Sequence, residues 1–133
     1  QEIELDTSIR KWERTPENDP YKSGLESLAS HMEPMLDGHI LKTAYNEFCY
    51  PAIEDAVGEL ANENVTEIII VTTMITRGGS HSEIEIPEEL KALRQKYSNI
   101  DIQYAWPFDI DAFALFLTTH IKIASPLSAV KSN

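Results

Sequence analysis

The feature that most constrains the fold is an apolar run, Ile68–Val71, followed by a glycine turn and then a proline. Consecutive Ile and Val residues are typical of a strand that is buried on both faces, as strands in parallel sheets are. Gly78 and Gly79 then turn the chain, and Pro87 suits the first turn of a helix. This strand–loop–helix unit predicts an α/β fold, with the strand Thr66–Ile75 in the centre of the sheet.

The rest of the chain alternates helices and strands in the same way. Apolar residues at three- and four-residue spacing predict helices, and short apolar or alternating stretches predict strands. The predicted helices are Tyr21–Leu36, Pro51–Leu60, Pro87–Tyr97 and Asp109–Ala124, and the other predicted strands are Ile40–Phe48 and Ile100–Trp106. The order α-β-α-β-α-β-α implies an open parallel sheet of the flavodoxin-like kind, with helices on both faces.

The length of 133 residues favours one domain with a sizeable core. We predict a polar N-terminal loop over 1–20, a folded domain over 21–124 and a flexible tail over 125–133. Asp19 is expected to cap the first helix and Pro20 to lie in its first turn. No apolar run approaches the roughly 20 residues of a membrane span, and no signal peptide opens the sequence. With Cys49 as the single cysteine, these features predict a cytoplasmic protein.

The formal net charge of −11 comes from 22 acidic residues against 11 lysines and arginines. Such a field repels nucleic acids and anionic membranes and attracts cations, including divalent metals. An acidic surface that only maintains solubility has the same composition. We therefore expect neither a nucleic acid nor a membrane partner.

His81 follows the glycine turn at the carboxyl end of a predicted strand, which is where open α/β sheets carry their ligands. A neutral imidazole binds metals or accepts protons near neutral pH. Glu85 lies four residues on, near the start of the next helix, where it can bind a metal, orient the imidazole or cap the helix. A loop histidine is also common as an ordinary surface residue.

A second acid, Glu47, lies near the end of the predicted strand Ile40–Phe48 and is expected on the same rim as His81. It is either a cleft carboxylate that accepts protons or binds a cation, or an exposed strand-end acid. Trp106 either forms a flat wall for a planar ligand or packs in the core. Arg14 either meets ligand carboxylates or stays solvated. Cys49 is expected to be a small core residue rather than a ligand. His31 and His39 are expected to be surface or helix-end residues, and His120 is expected to be structural.

Two blocks of the sequence carry a family resemblance. Residues 71–87 read as a strand, a glycine turn, a histidine and an acidic-Ile-Pro helix start, and residues 43–55 read as a strand end with a glutamate, followed by a proline and a helix. Both resemble the sirohydrochlorin chelatases, the CbiX and SirB type of class II chelatase. The segments 14–21 and 104–109 resemble one branch of these proteins, and together the similarity covers residues 6 to about 121.

The resemblance implies insertion of Co²⁺ or Fe²⁺ into sirohydrochlorin, a polycarboxylate tetrapyrrole, in sirohaem or cobalamin biosynthesis. It implies that His81 and Glu47 are the catalytic metal ligands. Glu85 is a third candidate ligand because of its four-residue spacing from His81. The residues expected to bind the substrate are Arg77, Gly78, Gly79, Ser80, Trp106 and Arg14. The metal is a substrate, so no permanently bound cofactor is expected. Short members of the family pair into homodimers, which is the assembly expected here.

The sequence departs from the family at the first strand, which in the family ends in a His-Gly pair that supplies another active-site histidine. None of the four histidines here is followed by glycine. We therefore expect that this strand is missing from the chain. The departure raises an alternative, a protein of the same fold that binds metal or tetrapyrrole without turnover. A metal-assisted hydrolase is disfavoured because His81 and Glu47 are too few protein ligands.

Overall fold

Helices dominate the part of the chain described by the computed structural model, which is residues 19–45 and 49–125. The elements are α1 (Pro20–Met32), α2 (Ile53–Ala61), β1 (Glu67–Ile70), α3 (Ile86–Lys96), β2 (Asp101–Tyr104) and α4 (Ile110–Ala124). A 3₁₀ turn, Glu33–Met35, follows α1, and a π-helical turn, His81–Glu85, leads directly into α3. The strands form a small parallel sheet flanked by helices, which confirms the predicted α/β class.

The chain divides into two compact units between Ile68 and Ile69. In the first unit, α1 begins as predicted. The Asp19 carboxylate accepts a hydrogen bond from the Lys22 amide at 3.0 Å, and Pro20 occupies the first turn. A carboxylate in this position satisfies an amide that has no partner within the helix. The helix ends where Pro34 converts it to the 3₁₀ turn.

The core of the first unit centres on one face of α2, where Ile53, Ala56 and Val57 are buried. The Ala52 amide donates to the Asp55 carboxylate at 2.9 Å, which fixes the start of the helix. Cys49 is a buried free cysteine, as predicted for a small core residue.

The prediction of a strand over Ile40–Phe48 is wrong for the residues that can be compared. Residues 40–44 have no strand structure, and Tyr45 forms a single parallel bridge with Ala52. Residues 46–48 lie outside the described part. A strand needs a neighbouring strand to hydrogen-bond its backbone groups. Over 40–45 the pairing is confined to this bridge, where the Tyr45 amide donates to the Pro51 carbonyl at 2.8 Å.

The core of the second unit is formed by α3 and β2. Ile86, Leu90 and Leu93 recur at four- and three-residue spacing on α3 and are buried, as is Ile102 of β2. The Arg94 guanidinium Nε donates to the Ile102 carbonyl at 2.9 Å, which fastens the polar side of α3 to the strand. This helix and this strand confirm the predictions for Pro87–Tyr97 and Ile100–Trp106, with slightly different ends.

The predicted burial of the apolar run on both faces is wrong. Ile68 is buried, but Ile69 is 54% exposed and Val71 is 49% exposed. Strand β1 is also shorter than predicted, and it is not central, because the described sheet has only the order β1–β2. Both strands alternate exposed and buried residues in the same pattern, which is the pattern of a sheet covered on one face.

Helix α4 begins where predicted, since the Asp109 Oδ1 atom accepts from the amides of Asp111 at 3.1 Å and Ala112 at 3.4 Å. Much of its apolar surface is exposed, including Leu115 at 67%. Within the described residues, no helix combines the length and apolar character needed to cross a bilayer. His31 and His39 are exposed, as predicted, and His120, which was expected to be structural, is exposed as well.

Candidate functional site

The candidate site is built by the loop that follows β1 in the second unit. Gly78 has a φ of +103°, a conformation that side chains with a Cβ rarely adopt. The Gly79 carbonyl accepts from the Glu83 amide at 3.0 Å and from the Ser82 hydroxyl at 3.3 Å. The glycine turn is therefore hydrogen-bonded directly to the π-helical turn. Helical structure begins at His81, upstream of the predicted start at Pro87.

His81 and Glu85 meet on this turn, as their four-residue spacing predicted. The His81 Nδ1 atom lies within ion-pair distance of the Glu85 Oε2 atom, and both side chains are partly exposed, at 40% and 50%. The Nδ1 atom is buried, and it has no hydrogen-bond partner among the described residues. An imidazole nitrogen and a carboxylate oxygen side by side form a pair of donors suited to a borderline metal such as Fe²⁺ or Co²⁺.

Glu83 is the residue that sequence reasoning missed. Its Oε1 atom accepts from Arg77 Nε at 2.8 Å and from the Gly78 amide at 3.3 Å. Its Oε2 atom accepts from Trp106 Nε1 at 2.8 Å and from Arg77 Nη2 at 3.5 Å. Trp106 lies in the loop after β2, 23 residues away in sequence. No local sequence pattern could therefore predict the role of the Glu83 carboxylate.

This network holds the pKa of the Glu83 carboxyl at about 2, well below its usual value. The main cause is the hydrogen bond from Arg77, followed by that from Trp106. The same carboxylate raises the pKa of the Arg77 guanidinium. It also adds to the raised pKa of the Tyr104 hydroxyl, which is due first to burial. Glu83 is therefore ionised at neutral pH.

We expect the Glu83 carboxyl carbon to titrate near pH 2 when followed by NMR in the folded protein. Because the pKa is depressed in the folded state, the network's contribution to stability is complete above the ordinary value of 4.5 and is lost as the pH falls through about 2. Arg77→Met should move the midpoint upward, since it removes the largest cause. A wild-type midpoint near 4.5 would contradict the network.

A row of aromatic residues runs along the carboxyl end of β2. The Tyr104 and Trp106 rings stack with centroids 6.0 Å apart, and Phe108 meets Trp106 edge-on at 5.8 Å. The Tyr104 hydroxyl donates to the Ser82 carbonyl at 2.9 Å, next to His81 in the chain. Trp106 is half-buried and its indole N–H is taken by Glu83, and its role as a wall for a planar ligand stays a prediction.

The structure thus gathers most of the predicted site residues around one turn. Those that it describes there are His81, Glu85, Arg77, Gly78, Gly79, Ser80 and Trp106. Glu47 and Arg14 lie outside the described residues, so their place in the site stays a prediction. Over 19–45 and 49–125, no group of three or more His, Cys, Asp or Glu side chains is arranged to hold a metal ion.

Comparison with known proteins assigns the family. The sequence model of the CbiX family matches residues 17–120, most of the chain and all of the loop described above. The chain belongs to the CbiX family. This CbiX protein is 28% identical over 76 residues to a sirohydrochlorin ferrochelatase from Priestia megaterium. It is 29% identical over 72 residues to a sirohydrochlorin cobaltochelatase from Methanopyrus kandleri.

These similarities are partial. They take in 57% and 53% of this CbiX chain, and 28% and 50% of the ferrochelatase and the cobaltochelatase respectively. The chain therefore spans at most about half the length of either relative in the aligned regions. No solved structure matches the chain significantly.

Proposed function

We propose that this CbiX protein inserts a divalent metal, Fe²⁺ or Co²⁺, into a sirohydrochlorin-type tetrapyrrole. The observation that carries the proposal is the pairing of His81 with Glu85 on the π-helical turn, inside the segment matched by the CbiX family. The two relatives are named for iron and for cobalt, so either metal is consistent with them. A location in the cytoplasm and a homodimeric assembly, both expected from the sequence, belong to the same proposal.

The donor set suits a metal that must be released again. His81 offers an imidazole nitrogen without a hydrogen-bond partner, and the Glu85 carboxylate beside it offers an oxygen. Two protein donors leave most coordination positions of Fe²⁺ or Co²⁺ to water, which pyrrole nitrogens can displace. In this proposal Glu47 supplies the further carboxylate.

The reaction exchanges one metal ion for two protons. As the metal enters, two pyrrole N–H bonds break, their electron pairs become metal–nitrogen bonds, and two protons leave the macrocycle. A carboxylate that is close to the pyrrole nitrogens can accept these protons and pass them to water. Glu85 and Glu47 are the proposed acceptors, whereas Glu83 is committed to its four donors.

The loop also offers groups suited to a polycarboxylate substrate. The Arg77 side chain is 66% exposed and its guanidinium keeps the charge needed to attract a carboxylate. Gly78 and Gly79 present exposed backbone that a macrocycle can approach closely, and the Ser80 hydroxyl lies beside them. Trp106 is the proposed planar contact, and Arg14 a second carboxylate-binding residue.

The direct test is to incubate the protein anaerobically with sirohydrochlorin and Co²⁺ or Fe²⁺ and to follow the absorbance change on metal insertion. We expect a rate above that of the same mixture without protein. A rate equal to the uncatalysed one contradicts the proposal. Calorimetry then separates the alternative, because binding of metal or tetrapyrrole without excess rate indicates a binding protein.

A further inference from the structure

We propose that Glu83 is the positioning residue of the His81 site, a role that rests on the proposed function of His81 itself. Glu83 fastens the glycine turn and the π-helical turn to the carboxyl end of β2 and thereby fixes where the imidazole stands. It does not contact the metal or the tetrapyrrole.

The Glu83 carboxylate has no acceptor site left for a further ligand. Two ionised carboxylate oxygens provide about four acceptor sites. In the structure those sites meet four donors, at 2.8 and 3.5 Å from Arg77, 3.3 Å from Gly78 and 2.8 Å from Trp106. No acceptor capacity remains for a metal, so Glu83 acts by holding other groups.

The donors to Glu83 come from two different loops. Arg77 and Gly78 belong to the loop after β1, whereas Trp106 follows β2. The Glu83 side chain therefore connects the two loops, and its partner Trp106 is 23 residues away in sequence. Both loops follow parallel strands, and the carboxyl ends of such strands carry the ligands of α/β proteins.

The two residues that follow His81 in the chain are also hydrogen-bonded. Tyr104 holds the Ser82 carbonyl at 2.9 Å, and Trp106 holds the Glu83 side chain at 2.8 Å. The two residues that follow His81 are thus both attached to the end of β2. Because an error of about 1 Å in the placement of a reacting group can cost about 100-fold in rate, such attachments matter to the chemistry.

The test compares Glu83→Gln with the wild type under the metal-insertion assay. Glutamine keeps the shape of the side chain but loses its charge and replaces one acceptor oxygen with a donor group that repels Arg77. We expect kcat to fall roughly tenfold, as is usual when the partner that orients a metal ligand is removed, with little change in KM. Glu83→Asp, which keeps the charge on a shorter side chain, should retain more activity than the glutamine variant.

Glu88→Gln is the matched control, because Glu88 is an exposed acid on α3 outside the network. It should behave as the wild type. If Glu83→Gln folds poorly, Glu83→Asp is the variant compared, and it should show part of the kcat loss because its shorter side chain cannot reach all four donors. An unchanged kcat in folded Glu83→Gln would overturn the proposal, because the placement of the imidazole would then not depend on Glu83. A loss of activity in proportion to the loss of folded protein would overturn it too.

NMR separates this proposal from the proposed function. In Glu83→Gln, the Trp106 indole N–H and the His81 and Ser82 amides should shift, whether or not the wild type inserts metal. If the wild type shows no chelation but these signals move, the proposed function fails while the attachment of the loop by Glu83 holds. If the signals stay in place, Glu83 does not position the loop.

Discussion

Replacement of His81 by alanine is expected to reduce metal insertion to the uncatalysed rate, a loss of at least about 100-fold. The His81 imidazole beside Glu85 supplies the nitrogen ligand of the proposed metal site, and alanine offers no substitute. The measurement is the initial rate of the absorbance change with sirohydrochlorin and Co²⁺ or Fe²⁺, after subtraction of the rate without protein.

His31→Ala is the matched control for this experiment. His31 is also exposed, and its ring nitrogen bonds the Ser27 carbonyl within its own helix, so its loss should leave the rate unchanged. If His81→Ala retains the wild-type rate, His81 is not a ligand in the reaction. If both histidine variants lose activity together, the loss reflects a general effect on the protein.

Leu90→Ala should lower the free energy of unfolding by about 2–5 kcal/mol. Leu90 is 1% exposed on the buried face of α3, between Ile86 and Leu93, and its truncation leaves a cavity there. Urea denaturation followed by circular dichroism measures the change. It is a large share of the roughly 5–15 kcal/mol that stabilises a typical domain.

Leu115→Ala makes the same chemical change on α4 at a side chain that is 67% exposed. Its expected effect is within about 0.5 kcal/mol, because little contact is lost. Equal effects of the two substitutions would contradict the assignment of Leu90 to the core.

The helices could be predicted from the sequence because their signals are local. Apolar spacing, with Asp19 as the predicted cap of α1, defines the starts of α1 and α4 to within a residue or two. The prediction for α3 rested on Leu90, Leu93 and Pro87 in the same way. Such signals survive without knowledge of the partner surface.

The strands were harder to predict than the helices, because the burial of a strand residue depends on neighbours that are distant in sequence. Ile69 and Ile68 are identical in type, yet one is exposed and the other buried. The candidate site likewise combines contacts that the sequence predicts with contacts that only the fold creates. The spacing of His81 and Glu85 predicted their contact, but the role of Glu83 depends on Trp106, which only the fold brings near.

The continuous run of helical turns from His81 to Lys96 has a consequence for tolerance to substitution. From Ile86 onward its buried side chains are all aliphatic, so replacement there should be limited by size and shape. In the five residues before Ile86, charge and donor type should set the limit instead, with Ser82 as the one buried position. In a saturation library of the segment, the kinds of substitution that are tolerated should therefore change abruptly at Ile86. The residues that carry the chemistry can then vary while the buried helix that holds them stays the same.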